Sequence, residues 1–272
     1  MKSRYDLHTH TTKSDGTCAP KELLRLAKAA GLQGLSITDH DTIDAYTDEV
    51  FHLAKELALQ LFTGVEITSR HRRLNAHILG YGFDVNDRFF QIFLEDVRKK
   101  RMARNQQIFA YLQEYGIILG EKDLSFPGSA VTGRLHIAKI LLDKGCVSSL
   151  QQAFDLYLDD RGKPWEKCPK VSTEEAIAAI HKASGKAVLA HPYFLREGKA
   201  LKELLSMNFD GIEAHYGNMP YSHRKVWEEV GKNRGWIITG GSDFHGSIKP
   251  QVSLGASYSS DDTIKDLFFH GR

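Results

Sequence analysis

The sequence predicts an α/β protein in which β-α units surround a parallel sheet or barrel. Short apolar runs alternate with longer amphipathic stretches along most of the 272 residues, an alternation that is typical of strand-helix-strand units. Hydrophobic residues make up 42% of the chain and charged residues 26%, so the chain can bury a full core. One large domain, or one domain with an insert, fits this length and composition.

Seven apolar, β-prone runs predict the strands. They span residues 4–8, 34–38, 60–67, 75–82, 187–190, 210–214 and 236–239. In the first predicted helix, Pro20 suits the first turn, apolar residues recur after it at helical spacing, and Gly31 can end the helix. Similar signals predict helices near 42–58, 173–184 and 220–233.

Between about residues 87 and 170 the pattern changes to consecutive helices without convincing strands, which predicts a helical insert. The insert begins with a charged segment that contains a basic run from Arg98 to Arg104. We interpret this run as a solvated helix face. The alternative is that it lines a channel for a nucleotide chain.

The charge balance and the cysteines exclude several classes of protein. Thirty-six Lys and Arg against 34 Asp and Glu give a net charge of +2, far below the excess of a protein that grips duplex nucleic acid through its backbone. The cysteines lack a CxxC pair, which argues against a disulfide framework and a thiolate zinc site. No apolar run approaches the roughly 20 residues that cross a bilayer, and the start MKSRYDLHTH is polar. We therefore expect a cytoplasmic protein with no membrane partner and no stable duplex binding.

Histidines and carboxylates cluster at the ends of the predicted strands. His8 and His10 are two residues apart, so the period-two geometry of a strand points both side chains to one face. Glu66 lies within an apolar strand, where an ionised carboxylate rarely stays buried unless it is paired or bound to a cation. The segments LSITDHDT, NAHILGYGF, AVLAHPY and IITGGSDFHG add Asp39, His40, Asp41, His77, His191, Asp243 and His245.

Each of these segments has an ordinary explanation when it is taken alone. An HxH pair arises by chance, a carboxylate can form a salt bridge, and a buried neutral histidine can bond to the backbone. One polynuclear metal site explains all of them together. The candidates include no cysteine, which favours Mn, Fe or Zn over Mg. Their number exceeds the ligands of one structural zinc and predicts two or three ions with a bridging carboxylate, which activate water and hold the oxygens of a displacement at phosphorus.

In chain order, the segments DLHTH, TDHD, GVE, AHILGY, AHP and SDFH match the motifs of the PHP family, named for polymerase and histidinol phosphatase. The chain resembles that family over nearly its whole length. The resemblance implies a distorted (β/α)7 barrel formed by residues 1–90 and 168–272, with a small helical domain inserted at 91–167. It also implies a cluster of nine ligands that usually holds three divalent metals.

Carried over by position, the resemblance assigns the ligands to three ions. One ion would be held by His8, His10, Glu66 and Asp243, the second by Glu66 as a bridge with His77 and His191, and the third by Asp15, His40 and His245. Many family members have His where this chain has Asp15, so occupancy by only two ions stays open. The expected metal is Mn²⁺, with Fe²⁺, Zn²⁺ or Mg²⁺ as alternatives. The expected catalytic residues are Glu66, His191 and Asp243, and Asp6, Asp39, Asp41 and Glu213 are candidates to orient the imidazoles.

In the insert, TGRLHIAKIL resembles the GRxHIA-type segment of a PHP subfamily of nucleoside 3′,5′-bisphosphate phosphatases and 5′→3′ exoribonucleases. Its Arg and His contact phosphate in that subfamily, which implies Arg134 and His136 here. The alternative is that Arg134 caps its helix or forms a salt bridge. The resemblance implies a metal-dependent phosphoesterase in which a metal-bound hydroxide attacks a phosphate ester of a nucleotide or of a short 5′-phosphorylated RNA.

Three other functions stay open from the sequence. A histidinol-phosphatase-like or other small-molecule phosphatase would use the same ligands. An amidohydrolase also begins with HxH on a barrel strand but normally bridges its metals with a lysine, where this chain has Glu66. A silent nucleic-acid-binding module would have lost ligands, and all nine are present. The sequence fixes neither the oligomeric state nor the general acid.

Overall fold

The structure, a computed structural model, describes residues 3–119, 131–196 and 198–269. Its strands are β1 (Tyr5–Asp6), β2 (Gly34–Ile37), β3 (Gln60–His71), β4 (Leu74–Tyr81), β5 (Val171–Ser172), β6 (Lys186–Leu189), β7 (Gly211–Tyr216) and β8 (Ile237–Gly241). Seven of them follow one another in the order β1-β2-β3-β4-β6-β7-β8, and the short β5 pairs with the end of β3.

The two ends of this sheet meet, so it closes almost completely into a barrel. The Leu7 N–H donates to the Gly240 carbonyl over 3.3 Å, and Thr9 pairs with Phe244 in a parallel bridge. β4 runs antiparallel to its neighbours β3 and β6, whereas the other strand pairs on the path are parallel. The predicted α/β fold with a distorted barrel is confirmed.

The helices are α1 (Pro20–Ala29), α2 (Asp48–Glu56), α3 (Arg88–Glu114), α4 (Arg134–Asp143), α5 (Leu150–Ala153), α6 (Thr173–Lys182), α7 (Lys199–Leu204), α8 (Tyr221–Arg234) and α9 (Asp261–Phe268). α6 illustrates why such a segment forms a helix. Ser172 and Glu175 form a capping box at its start, and Ala176, Ile177 and Ile180 follow at helical spacing and are buried. No helix in the described ranges is long and apolar enough to cross a membrane.

The barrel and the insert bury separate apolar clusters, and α3 contributes to both. Phe90 and Leu94, near the start of α3, pack in the barrel cluster. Ile108 and Leu112, near its end, pack in the insert cluster with the fully buried Trp165. One helix therefore joins the insert to the barrel wall, and it crosses the domain boundary that we predict at residue 90.

The predicted strands agree with the structure within two residues, except that β3 continues to His71 instead of ending at 67. The extra residues pair with the start of β4, which turns the two predicted strands into a long hairpin. β5, α7 and α9 were not predicted. They have two, six and eight residues, too few for a clear periodic pattern.

Candidate metal centre

All nine predicted ligands lie at one mouth of the barrel. His8, His40, His191 and Asp243 follow β1, β2, β6 and β8, because parallel strands end at the same mouth. His77 lies in the first half of β4, which reaches the same mouth because β4 runs antiparallel to its neighbours. Asp15 approaches from the loop after β1, and His245 from the loop after β8.

Glu66 is the centre of the cluster and is 1% exposed. Its Oε2 lies 3.2 Å from three imidazole nitrogens, His8 Nε2, His10 Nε2 and His40 Nδ1. Its Oε1 lies 2.7 Å from His77 Nδ1 and 2.9 Å from His191 Nε2. The two carboxylate oxygens thus face two different sets of histidines, which is the arrangement that a bridging ligand needs.

The three nitrogens around Oε2 fit a bound cation. They are buried and form no hydrogen bond, although each lies 3.2 Å from a carboxylate oxygen. Two donors that each lie about 2.1 Å from one ion are roughly 3 Å apart, so this spacing suits ligands of a shared ion. A set of imidazoles and carboxylates without thiolate suits Mn, Fe or Zn. The residues that are present therefore fit divalent metal.

The donor atoms form three groups in which all atoms lie within 4.8 Å of one another. The groups are His8, His10, Glu66 and Asp243; His10, Asp15, His40 and His245; and His40, Glu66 and His77. Two groups contain the ligand sets that we predict for the first and third ions, the latter with His10 added. In the remaining group His40 stands beside Glu66 and His77, where we predict His191, although His191 also contacts Glu66.

Tyr216 and Lys249 complete the surroundings of Asp243, and neither residue has a signal in the sequence. The Tyr216 hydroxyl and the Lys249 Nζ both donate to Asp243 Oδ2, over 2.6 and 2.7 Å. Tyr216 lies at the end of β7, and Lys249 lies in a loop with no motif. Together they hold the carboxylate so that Oδ1 points to the histidines.

Hydrogen bonds at the far side of the rings fix which nitrogen faces the centre. His8 Nδ1 donates to Glu213 Oε1 over 2.9 Å, and His245 Nδ1 donates to the Asp243 carbonyl over 2.8 Å. In both residues Nε2 is left to bind a cation. Glu213 therefore orients an imidazole, as predicted.

The other three carboxylates that we expected to orient imidazoles have different partners, so that expectation was wrong for them. Asp6 accepts from the backbone and hydroxyl of Ser242. Asp39 accepts from Thr11 and from the Ser14 hydroxyl. Asp41 accepts from Arg101 and from the Thr68 backbone. They shape the loops that present the ligands.

The pKa values of three central carboxyl groups lie below their usual range. Burial raises the pKa of the Glu66 carboxyl, but His40, His77 and His8 outweigh burial and hold that pKa well below its usual range. The pKa of Asp15 is likewise held low by His40 and His245 against the effect of burial. For Asp243, Lys249, His245 and His8 lower the pKa against burial. Ionised carboxylates are the form that binds cations.

The backbone at the centre is strained and closely packed. Asp41, His191 and Asp243 have φ values of 55°, 25° and 55°, in the left-handed region that side chains rarely adopt. Gly241 leaves room for β1, because a Cβ at this position would lie 2.3 Å from the His8 Cβ. Such strain is typical of functional sites, where the surrounding structure maintains it.

The two residues of the insert that we predict to contact phosphate, His136 and Arg134, have different surroundings. His136 is buried, and its Nδ1 accepts from the Gly133 N–H over 3.2 Å at the start of α4. A Cβ on Gly133 would lie 3.5 Å from Asp15 Oδ2, so the start of α4 approaches the metal centre. Arg134 Nη1 donates to Asp160 Oδ1 over 2.8 Å and to the Leu158 carbonyl over 3.2 Å. Arg134 thus forms the salt bridge that we considered as its alternative role.

The interpretation of the basic run of α3 as a solvated face was wrong for Arg101 and Arg104, whereas Lys99 in the same run is exposed. Arg101 and Arg104 are only 9% and 4% exposed, because they lie on the side of α3 that faces barrel residues such as Asp41 and Thr68. Arg101 forms an ion pair with Asp41 and donates to Thr68. Arg104 Nη2 donates to Asn105 over 2.9 Å, but its buried Nε forms no hydrogen bond.

Comparison with known proteins shows the family to which this chain belongs. The PHP domain model matches residues 6–223, so the chain belongs to the PHP family. The 5′-3′ exoribonuclease Rnm of Escherichia coli is 34% identical over 261 residues, which cover 92% of this chain and 88% of that protein. The 3′,5′-nucleoside bisphosphate phosphatase of Chromobacterium violaceum is 30% identical over 249 residues, which cover 88% and 86%.

A solved structure from Bifidobacterium adolescentis, assigned as a metal-dependent phosphoesterase, matches with a TM-score of 0.85 and 29% identity over 97% of this chain and 95% of that one. The predicted family and enzyme class are confirmed. The chain is a hydrolase of the metal-dependent phosphoesterase class, with clustered His, Asp and Glu side chains that can bind metal.

Proposed function

We propose that this phosphoesterase acts on phosphate esters of nucleotides. It would remove the 3′-phosphate of nucleoside 3′,5′-bisphosphates and cleave short 5′-phosphorylated RNA from its 5′ end. The names of its relatives support this substrate class. The structural observation that carries the proposal is the Arg104 guanidinium, which is buried on α3, lines the same small cavity as Asp41 and Arg101, and forms no ion pair in the described ranges.

Among the cationic side chains around Arg104, Arg104 alone lacks an acidic partner in the described ranges. A second phosphate of the substrate would neutralise this positive charge. Its cationic neighbours are already paired, Arg101 with Asp41 and both Arg134 and Lys170 with Asp160. Arg104 has no ion pair with any carboxylate in the described ranges. Because a buried unpaired charge is costly, a phosphate that binds here gains a charge-assisted contact. A nucleotide with two phosphates, such as a nucleoside 3′,5′-bisphosphate, can place one phosphate at the metals and the other at Arg104.

We propose that the nine clustered residues hold two or three divalent ions, most simply Mn²⁺, with Fe²⁺, Zn²⁺ or Mg²⁺ as alternatives. When bound, such ions lower the pKa of water and neutralise charge on phosphoryl oxygens. Glu66 supplies one oxygen to each of two sets of histidines. Lys249 and Tyr216 fix Asp243. Glu66, His191 and Asp243 are the residues that we propose to be essential for turnover.

The insert provides the second half of the proposed substrate site. The Arg134 ion pair with Asp160 uses Nη1, so Nε and Nη2 can still donate to a phosphate while Asp160 fixes the guanidinium. His136 is held by Gly133 close to Asp15. We therefore keep Arg134 and His136 as proposed substrate-binding residues and add Arg104.

The test compares substrates on one Mn-loaded preparation. Adenosine 3′,5′-bisphosphate, a 5′-phosphorylated RNA oligomer, histidinol phosphate and an aryl phosphate are incubated with it, and kcat/KM is measured for each. We expect one of the two nucleotide substrates to give the highest value. Chelated protein should be inactive, and activity should return with added metal. A clear preference for histidinol phosphate, or full turnover without metal, would overturn the proposal.

A further inference from the structure

A groove leads away from the metal centre between the barrel and the insert. It has a volume of about 270 Å³. It is lined by Arg70, Arg73, Leu74 and Asn75 of the β3-β4 hairpin, by Asp159 to Arg161 and Glu166 of the insert, and by Phe194 to Arg196 after β6. Building on the proposed function, we propose that this groove binds the single-stranded RNA that continues beyond the reacting nucleotide.

The groove lies next to the metal centre, because one of its lining residues, Phe194, is beside a predicted ligand. The Phe194 ring lies 5.6 Å from the ring of His191, which contacts Glu66. Arg70, which also lines the groove, is four residues beyond Glu66 on β3, which is roughly 13 Å at about 3.3 Å per residue. At the rise of about 3.4 Å per nucleotide of a strand within a duplex, this distance from Glu66 is longer than one nucleotide. A mononucleotide at the metals would leave most of the groove empty.

The charges of the groove suit a polyanion. Two arginines are already neutralised, Arg161 by Asp159 and Arg70 by Glu166. Arg73 and Arg196 are exposed and form no ion pair or hydrogen bond with any residue in the described ranges. The third acidic residue, Asp160, is paired with Lys170 and Arg134. The groove thus has two unpaired guanidinium groups that can bind phosphates of a backbone.

Phe194 supplies a surface for a base next to the scissile bond. Phe194 is 60% exposed, although its ring lies beside the imidazole of His191. Tyr216 packs against it edge to face with the ring centroids 5.4 Å apart, which fixes the ring. Proteins that bind single strands without sequence preference combine a cationic groove with such aromatic platforms.

The charge part of the proposal is tested by binding, without catalysis. The chelated full chain is titrated against an RNA octamer with a 5′-phosphate and a 3′-fluorophore, and fluorescence anisotropy is followed at several salt concentrations. The Arg73→Ala/Arg196→Ala double variant should bind at least ten-fold more weakly. The slope of log K against log salt should fall in magnitude by about 1.4, since each phosphate contact to a single strand contributes about 0.7. Arg25→Ala, on the exposed face of α1, is the matched control and should bind like the wild type.

The aromatic part uses Phe194→Leu, which keeps an apolar side chain, and Phe194→Trp, which keeps a ring. We expect Phe194→Leu to bind the octamer about five- to 100-fold more weakly and Phe194→Trp to bind like the wild type. Phe269→Leu, an exposed ring after α9, is the matched control and should have no effect. Equal weakening by the Leu and Trp variants would show a packing role and overturn the aromatic part.

Activity assays on the metal-loaded protein distinguish a failure of the groove proposal from a failure of the proposed function on which it rests. In the double variant, kcat/KM for the RNA oligomer should fall at least five times more than kcat/KM for adenosine 3′,5′-bisphosphate. If the wild type hydrolyses the bisphosphate but binds the octamer no better than a mononucleotide, the groove proposal fails and the phosphatase function stands. If the wild type hydrolyses neither nucleotide substrate, the proposed function fails, whereas octamer binding that depends on Arg73 and Arg196 would still support the groove.

Discussion

The hydroxyl of Tyr216 donates to Oδ2 of Asp243 over 2.6 Å. Lys249 donates to the same oxygen, so the other carboxylate oxygen, Oδ1, faces His8 Nε2 and His10 Nε2 at 3.4 and 3.1 Å. A partner behind a ligand fixes the direction of its lone pairs and commonly changes metal affinity when it is removed.

We therefore expect Tyr216→Phe to weaken metal binding about ten- to 100-fold while the fold is retained. The measurement is competition for metal against a chelator of known affinity, with circular dichroism as the check on folding. Tyr221→Phe, exposed at the start of α8, is the matched control. Unchanged metal affinity in Tyr216→Phe would contradict the role of this hydrogen bond.

Glu66→Gln and Asp243→Asn should each abolish turnover, because each removes a negative charge that offsets the cations. Glu66→Gln should also lose the bridge between the two sets of histidines. Metal content, measured by elemental analysis, should fall in both variants, and circular dichroism should stay near that of the wild type. Near-normal activity in both would show that the centre is assigned to the wrong residues.

Asp160 gives a prediction for stability at acid pH. Burial raises the pKa of its carboxyl, but Arg134, Lys170 and Arg104 outweigh burial and lower it to about 2. A pKa below the unfolded value of about 3.8 stabilises the folded state above pH 4, and this contribution is lost as pH falls from about 4 to 2. Asp160→Asn should therefore cost about 2 kcal/mol at pH 7.

The measurement for Asp160 is denaturant unfolding of chelated wild type and variant between pH 7 and pH 2. The difference in unfolding free energy should be constant down to about pH 4 and should shrink below it. Asp155→Asn, on the exposed side of the insert, provides the matched control. A difference that does not change with pH would mean that the ion pairs of Asp160 add nothing to stability.

Most of the ligands could be predicted from the sequence because they lie near strand ends, and parallel strands bring their ends together, whereas Asp15 was assigned only through the family resemblance. His77 was identified by its motif, but its direction depends on β4 running antiparallel, which strand periodicity does not show. Tyr216 and Lys249 could not be found, since an isolated polar residue near a strand end has no local signature. Arg104 was misjudged for a related reason. A basic helix segment looks solvated until the fold places α4 and the barrel mouth against it.

Arg134→Ala should lower kcat/KM about ten- to 100-fold, since charge-assisted hydrogen bonds contribute about 1.5–3 kcal/mol. The loss should be larger for adenosine 3′,5′-bisphosphate than for an aryl phosphate, which has no second anion, and metal content should not change. Lys139→Ala, on the same helix and paired with Asp143, is the control. Equal losses on both substrates would show that Arg134 only holds Asp160.

Substitution of Arg104 should affect activity and stability in opposite ways. Since its guanidinium is buried without an ion pair, Arg104→Met should leave the unfolding free energy of the ligand-free protein unchanged or raise it by about 1–3 kcal/mol. The same variant should lose at least ten-fold in kcat/KM for the bisphosphate, because the second phosphate loses its unpaired partner. Lys99→Met, exposed on the same helix, should change neither quantity.

Inorganic phosphate tests the same residue without catalysis. An anion that binds the folded protein at Arg104 raises its unfolding free energy by mass action. Phosphate at millimolar concentration should therefore raise the Tm of chelated wild type more than that of Arg104→Met, with chloride at equal ionic strength as the reference. If Arg104→Met is instead strongly destabilised and responds to phosphate like the wild type, Arg104 is a structural residue. Its hydrogen bond to Asn105 would then be the reason that it is buried.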